Sequence, residues 1–280
     1  MSTATKRKPG HRDFDWYAEP LYYDIVFDSD TPKEADFLEA VAAKWARSPG
    51  KRCLEPACGT GRLVAELAAR GWDATGFDLE PAMVQFARRR AKEKGVRKGC
   101  RIEPGDMTKF KLPGPKPEGA RGAAGYDLAF CLVSTSRLLP SDEAMIDHLR
   151  CTAKHLAPGG VYVLGLHITD YTDLDGGYER WVAKRGDLRV SCIIESDPCD
   201  RKARTEAVRC RIRAVHGDAE PKLLESRWTF RTYGITQLRR VVKAATELKH
   251  VATYEFSHDI HTPVRLGGDD LGVVLVLRKK

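Results

Sequence analysis

The chain has 280 residues, 42% hydrophobic and 31% charged, enough to bury a sizeable core as one elaborated domain or as a core with a small subdomain. No apolar run approaches the roughly 20 residues needed to cross a bilayer, and the basic start MSTATKRKPGHRD has no apolar stretch behind it, so no membrane partner is expected and the expected location is the cytoplasm. The formal charge of +8 selects no partner by itself, because much of it lies in the N-terminal KRK and in ARRRAKEKGVRKGCR (residues 87–101), a run that suits a solvated helix face.

Residues 1–15 read as a disordered basic tail. Phe37, Val41 and Trp45 then mark a helix, followed by the strand signals KRCLEP, WDATGFD, GCRIEP, YDLAFCL and GVYVLGLH. Helical spacing returns between them, in Leu63, Val64, Leu67 and Ala68 and again in Met145, Leu149, Ala153 and Leu156. Alternating strands and helices predict an α/β fold, a Rossmann-like, mostly parallel sheet with helices on both faces. LPGPKPEGARGAAG, residues 112–125, is too rich in Pro and Gly for either element and predicts a surface loop.

From about Tyr178 to Phe230 the period becomes two. Val190, Cys192 and Ile194 alternate along one strand, Val208, Cys210 and Ile212 along another, and Trp228 and Phe230 along a third, which predicts an inserted antiparallel sheet. Ile235, Leu238, Val242 and Ala245 mark a last helix, before terminal strands in VATYEFSHDI and LGVVLVLRKK. The expected divisions are 16–175 for the ligand-binding core, 176–232 for the insertion and 233–280 for the elements that complete the core. Arg209, Arg211 and Arg213, with Arg227 and Arg231, project from one face of the insertion, either as a soluble outer face or as a site for an anion. The eight cysteines include no Cys-x-x-Cys pair, so reduced thiols and no metal site are expected.

The chemistry centres on CLEPACGTGRLVAEL. A strand ending at Glu55 runs through Gly59-Thr60-Gly61 into a helix, and Asp78 ends the next strand, where a carboxylate can accept hydrogen bonds from ribose hydroxyls. A dinucleotide fits less well, because the third glycine of Gly-x-Gly-x-x-Gly is replaced by Val64, and Glu55 is unwelcome beside a pyrophosphate. An acidic residue there suits a ligand carrying an amino group and a sulfonium.

Glu55-Pro56-Ala57-Cys58-Gly59-Thr60-Gly61, Gly76-Phe77-Asp78-Leu79, Gly105-Asp106-Met107 and Tyr126-Asp127-Leu128-Ala129-Phe130-Cys131-Leu132, followed by Leu156-Ala157-Pro158-Gly159-Gly160, resemble in order the motifs of class I S-adenosylmethionine-dependent methyltransferases. The resemblance covers roughly residues 50–166 and implies a seven-stranded sheet with S-adenosyl-L-methionine as cofactor. It implies Asp106 at the adenine amino group with Met107 beside the ring, and Glu55, Ala57, Gly59, Gly61, Asp78, Leu79, Met83 and Leu132 as the other donor-binding positions. Beyond the core, Leu21-Tyr22-Tyr23-Asp24 and the insertion are similar to small-molecule N-methyltransferases, including those that dimethylate amino sugars, and Tyr23 falls where those enzymes place a tyrosine over the donor. Several of them carry a histidine in the loop after the fourth core strand, where this sequence has Arg137.

The implied function is methyl transfer to a small-molecule acceptor, on nitrogen or oxygen. The alternatives are an RNA or protein methyltransferase and a non-catalytic module that binds the cofactor. The expected partner is the small-molecule acceptor, with nucleic acid not favoured and a homodimer left open. Of the catalytic candidates, His167 closes the fifth core strand at the carboxyl edge of the sheet and could act as base. Tyr23 would sit over the donor, and Arg137 would orient or neutralise an acidic group of the acceptor.

Overall fold

The structure, a computed structural model, describes residues 10–112, 125–172, 175–269 and 271–280. In chain order the elements are β1 (Arg12–Asp13), α1 (Pro20–Phe27), α2 (Thr31–Trp45), β2 (Arg52–Pro56), α3 (Arg62–Ala69), β3 (Asp73–Asp78), α4 (Pro81–Glu93), β4 (Cys100–Pro104) and β5 (Tyr126–Cys131). They continue with α5 (Asp142–His155), β6 (Leu156–His167), β7 (Tyr178–Arg185), β8 (Leu188–Ser196), β9 (Thr205–His216), β10 (Lys222–Arg231), α6 (Ile235–Ala244), β11 (Leu248–Glu255) and β12 (Gly272–Lys279).

The predicted architecture is present. Seven strands form one sheet in the order β11-β12-β6-β5-β2-β3-β4, parallel except for β12, which is antiparallel to both β11 and β6. Strands buried on both faces carry near-continuous apolar runs, which is why β5 and β12 were readable. On one face Phe37, Leu38 and Val41 of α2, Leu63 and Leu67 of α3 and Ala87 of α4 pack on Cys53, Leu128, Val163 and Val274. On the other, Met145 and Leu149 of α5 and Leu238 and Val241 of α6 pack on Leu54, Tyr162, Leu164 and Leu275. Each side chain so buried stabilises the fold by about 1.5–3 kcal/mol. Two helix starts are capped by side chains: Glu80 accepts from the Ala82 N–H before Pro81 opens α4, and Ser141 does the same for Ala144 at α5.

The second sheet has the order β1-β10-β9-β8-β7. Its inner face, with Val190, Cys192, Cys210, Ile212 and Leu224, packs on Tyr22, Ile25 and Val26 of α1 and on Phe14 and Trp16. The tail expected over 1–15 therefore ends earlier. Residues 1–9 lie outside the described residues, but Arg12 and Asp13 pair with Leu224 and Glu225, because Phe14 and Trp16 bury their rings under the sheet. The loop expected over 112–125 falls almost wholly outside the described residues. The first terminal strand begins at Leu248, three residues before the expected start, and stops before Phe256. All eight cysteines are free thiols, with Cys192 and Cys210 Sγ 3.4 Å apart. Among the described residues no helix is long and apolar enough to cross a membrane.

On the outer face of the second sheet, Arg209 lies opposite Arg227 as neighbouring strands require, yet no uninterrupted basic patch forms. Glu195 accepts from both Arg209 and Arg211, Glu225 accepts from Arg227, and Arg231 reaches Asp142 at 3.2 Å. Exposed pairs of this kind contribute little stability, but they divide the positive charge.

Candidate active site

The carboxyl ends of β2, β3, β5 and β6 open into a cavity of ≈ 1450 Å³ whose far wall is the inner face of the second sheet. At its floor the turn from β2 to α3 holds Ala57, Gly59 and Gly61 in the left-handed region, with φ of 53°, 53° and 70°. Glycine suits position 59 because its φ of 53° is a conformation in which other side chains are strained; a Cβ there would only touch the Tyr23 ring, at 3.6 Å. Asp78 organises this turn: its Oδ2 accepts from the Gly59 N–H at 2.8 Å and its Oδ1 from the Glu80 N–H at 2.9 Å. Burial pushes its pKa up despite these bonds. The remaining lone pairs are open to ribose hydroxyls.

Beside Asp78, Leu79 is 74% exposed although it is a large apolar side chain on the cavity wall. An apolar residue left bare in a concave site fits an aromatic ring lying on it. Asp106 faces the same space; its Oδ1 accepts from both the main chain and the hydroxyl of Thr108 at 2.8 Å, leaving Oδ2 available to an amino group. Those bonds hold its pKa below the usual carboxylate range. His148 buttresses the next residue: it is fully buried, Nδ1 lies 3.0 Å from the Met107 carbonyl and Nε2 lies 2.5 Å from the Tyr162 hydroxyl. Burial lowers its pKa to about 4, so it stays neutral and donates one bond while accepting the other. Leu79, Asp78, Asp106 and Met107 thus present the features an adenosine needs.

Glu55 lies behind the turn. It is buried, accepts from the Val64 N–H at 3.2 Å, and burial raises its pKa to about 8, against the opposing pull of Arg62. Arg62 is itself buried and paired with Glu34 and Thr31. A cationic ligand nearby would favour ionised Glu55.

Over the floor stands an aromatic cluster: Tyr23 meets Phe27 at 4.6 Å, Trp16 at 5.5 Å and Tyr17 at 6.4 Å between centroids. Burial raises the pKa of both Tyr17 and Tyr23, which stay protonated. The loop after β5 is strained, with Val133 and Ser134 at φ of 58° and 60°, a costly conformation for a β-branched residue. This strain places the Ser134 hydroxyl to accept from the His167 N–H at 3.0 Å and to lie 2.8 Å from His167 Nδ1.

That geometry bears on the role expected for His167. The serine oxygen accepts from the main chain with one lone pair, and its second lone pair and its proton let it pair with Nδ1 in either ring tautomer. Burial, and secondarily Arg137, lower the pKa to about 4. An imidazole with so low a pKa is a weak base on the cavity wall. The structure bears on Arg137 too. Its guanidinium pairs with Glu206, stacks 4.7 Å from the Phe230 ring and donates to the Arg231 carbonyl at 3.1 Å, so its charge is already answered. It fastens the loop after β5 to the second sheet.

Of the donor positions, Ala57, Gly59, Asp78, Leu79, Asp106 and Met107 line the large cavity together with Tyr23, Arg137 and His167. Glu55 and Leu132 line a small recess behind it. Gly61 and Met83 line neither: a Cβ on Gly61 would meet the Ala87 Cβ at 2.7 Å, so this glycine serves the packing of α3 on α4, and Met83 is buried in the core. Sequence reasoning missed Tyr17, Ser134, His148 and Glu179. A histidine on the apolar face of α5, in helical register with Met145 and Thr152, was a readable signal for His148.

Comparisons with known proteins bear on the fold and the family. A family model described as a methyltransferase domain matches residues 53–160. The chain is 27% identical over 183 residues to a dTDP-4-amino-2,3,4,6-tetradeoxy-D-glucose N,N-dimethyltransferase of Saccharopolyspora spinosa, covering 59% of this chain and 67% of that protein. It is 31% identical over 127 residues to a ubiquinone biosynthesis O-methyltransferase of Xanthomonas campestris, covering 45% of this chain and 47% of that protein, so the match spans about half of that relative's length. In structure it resembles S-adenosylmethionine-bound CalS10, an amino pentose methyltransferase from Micromonospora echinaspora, with a TM-score of 0.69, 21% identity and coverage of 97% and 100%. The fold is the one these methyltransferases share. Over residues 53–160 the chain matches a methyltransferase domain, and as a whole it is similar to S-adenosylmethionine-dependent methyltransferases.

Proposed function

We propose that the chain transfers the sulfonium methyl of S-adenosylmethionine to nitrogen or oxygen of a small-molecule acceptor, bound between the carboxyl edge of the large sheet and the inner face of the second one. The observation that carries this reading is the cavity. At ≈ 1450 Å³ it exceeds the roughly 300–1,000 Å³ of a single ligand site, and it runs without a break from Asp106 and Leu79 at the donor end to Glu179 and Trp228 beneath the second sheet. A space roofed by a sheet and by α1 suits a small acceptor better than a duplex or a folded protein, and the acid-laced outer arginines offer no track for nucleic acid.

When bound, the donor supplies an electrophilic methyl group on a positively charged sulfur. The chain's own residues position and enclose. Asp78 fixes the ribose end, Asp106, Met107 and Leu79 the base, and Tyr23 with Phe27 and Trp16 excludes water above Gly59. His167, held by Ser134, is placed to hydrogen-bond the acceptor, and alignment of lone pair, methyl and sulfur accounts for much of the rate. The eight free thiols support a cytoplasmic location. Incubation with methyl-labelled donor and cell extract, separated by size, tests the reading: label in the small-molecule fraction is expected, and label confined to macromolecules would overturn it.

A further inference from the structure

We infer that the acceptor is an amine, cationic at neutral pH and free of phosphate, whose ammonium is held by Glu179; this rests on the small-molecule reading above. The cavity wall has a charge opposite to that of the chain. Although the protein is formally +8, acidic side chains well outnumber basic ones on the described wall, among them Asp15, Asp28, Asp170, Glu179, Asp197 and Glu206. The two arginines on that wall are committed. Arg137 pairs with Glu206, and Arg185 reaches Asp24 at 2.7 Å and Asp28 at 3.1 Å. That leaves Lys33 on α2 and Lys184 on β7, single charges on different elements. A diphosphate would meet Glu179, and among the described residues no uncommitted arginine lines the cavity to receive it; like charges brought together in this way are selected against.

Glu179 is the inverse case. On β7 it shares the cavity-facing side with Trp181, opposite Ile194 of β8, and among the described residues no cation pairs with it. Partial enclosure raises its pKa, and the neighbouring Glu206 adds to the shift. An ammonium placed beside Glu179 would offset both effects. Trp181, Trp228 and Phe256 line the same space, and aromatic rings favour a cation. Trp228 Nε1 is buried without a hydrogen-bond partner, so the ligand should also bring an oxygen that accepts from it. The chemistry recognised is therefore that of an amino alcohol or free amino sugar. This departs from the nucleotide-linked sugar named for the Saccharopolyspora spinosa relative.

Calorimetry on the protein saturated with S-adenosylhomocysteine tests this with two probes, spermidine as a phosphate-free cation and dTDP as a diphosphate without an amine. Spermidine should bind saturably, and Glu179→Gln should weaken it by about tenfold or more while leaving affinity for S-adenosylhomocysteine unchanged. dTDP should not bind. Binding of dTDP, failure of spermidine to bind, or spermidine binding indifferent to Glu179→Gln would each overturn the inference. None of these results decides whether label enters the small-molecule fraction, so the underlying reading stands or falls by its own experiment.

Discussion

Asp78→Ala should uncouple donor binding from folding. In the donor-free protein the carboxylate accepts the Gly59 and Glu80 N–H groups at 2.8 and 2.9 Å, and its free lone pairs face the cavity. Two ribose hydroxyls bonded there would each contribute about 1.5–3 kcal/mol as charge-assisted bonds, so losing both weakens the donor by about 3–6 kcal/mol, or roughly 10² to 10⁴ in Kd. Stability should respond far less. Burial is the largest influence on Asp78 and raises its pKa, so the cost of confining the charge cancels much of what its two main-chain bonds supply. A net loss near 1 kcal/mol would lower Tm by roughly 2–4 °C in a chain of this size. Asp78→Asn keeps an oxygen for the Gly59 N–H and loses the charge, so its affinity should fall between the two. Calorimetric titration with S-adenosylhomocysteine beside a thermal scan measures both quantities. Affinity of Asp78→Ala within about threefold of the parent would refute the ribose assignment. A collapse in Tm that accounts for the lost binding would make the residue structural.

Glu55, its pKa raised from an ordinary carboxylate value to about 8, favours the folded state fully at low pH and loses that contribution as pH climbs toward 8. Tm of the donor-free protein should therefore fall between about pH 5 and 8, and Glu55→Gln, which can still accept from Val64, should flatten that slope in scans across the range. Arg137→Ala strands Glu206 beside Phe230 and should cost about 3 kcal/mol in denaturant unfolding, part of it recovered when Glu206→Ala is added; additive effects would show that the pair is not coupled. His167→Gln, which keeps a hydrogen-bonding group, should retain much more turnover than His167→Ala. Equal losses in both, with a lost titration in the pH–rate profile, would support the base role.

The donor half of the site was legible because main-chain geometry makes it. Positive φ at Gly59 and a carboxylate ending β3 leave a local signature that needs no knowledge of distant contacts. The acceptor half was not. On β7 the inward positions are Glu179, Trp181 and Ala183, and the first is charged because it faces a cavity and not a core, so the alternation that revealed β8 and β9 is broken there. Arg137 could be placed near the site but its role could not be read, since Glu206 approaches it from the second sheet, 69 residues along the chain. Helix α4 was legible only as a charged run suited to a solvated helix face, because Arg88, Arg89 and Arg90 obscure its apolar register, although Glu80 and Pro81 mark its start. The pairing of Arg12 and Asp13 depends on Phe14 and Trp16 finding a sheet that forms more than two hundred residues later.

The most direct test of the central claim is a crystal structure with S-adenosylhomocysteine. The account predicts adenine lying on Leu79 beside Met107, its amino group within hydrogen-bond reach of Asp106 Oδ2, both ribose hydroxyls on Asp78, and the sulfur beneath Tyr23 facing the space bounded by His167 and Glu179. A nucleoside bound elsewhere, or one that leaves Leu79 bare and Asp78 without a contact, would contradict it.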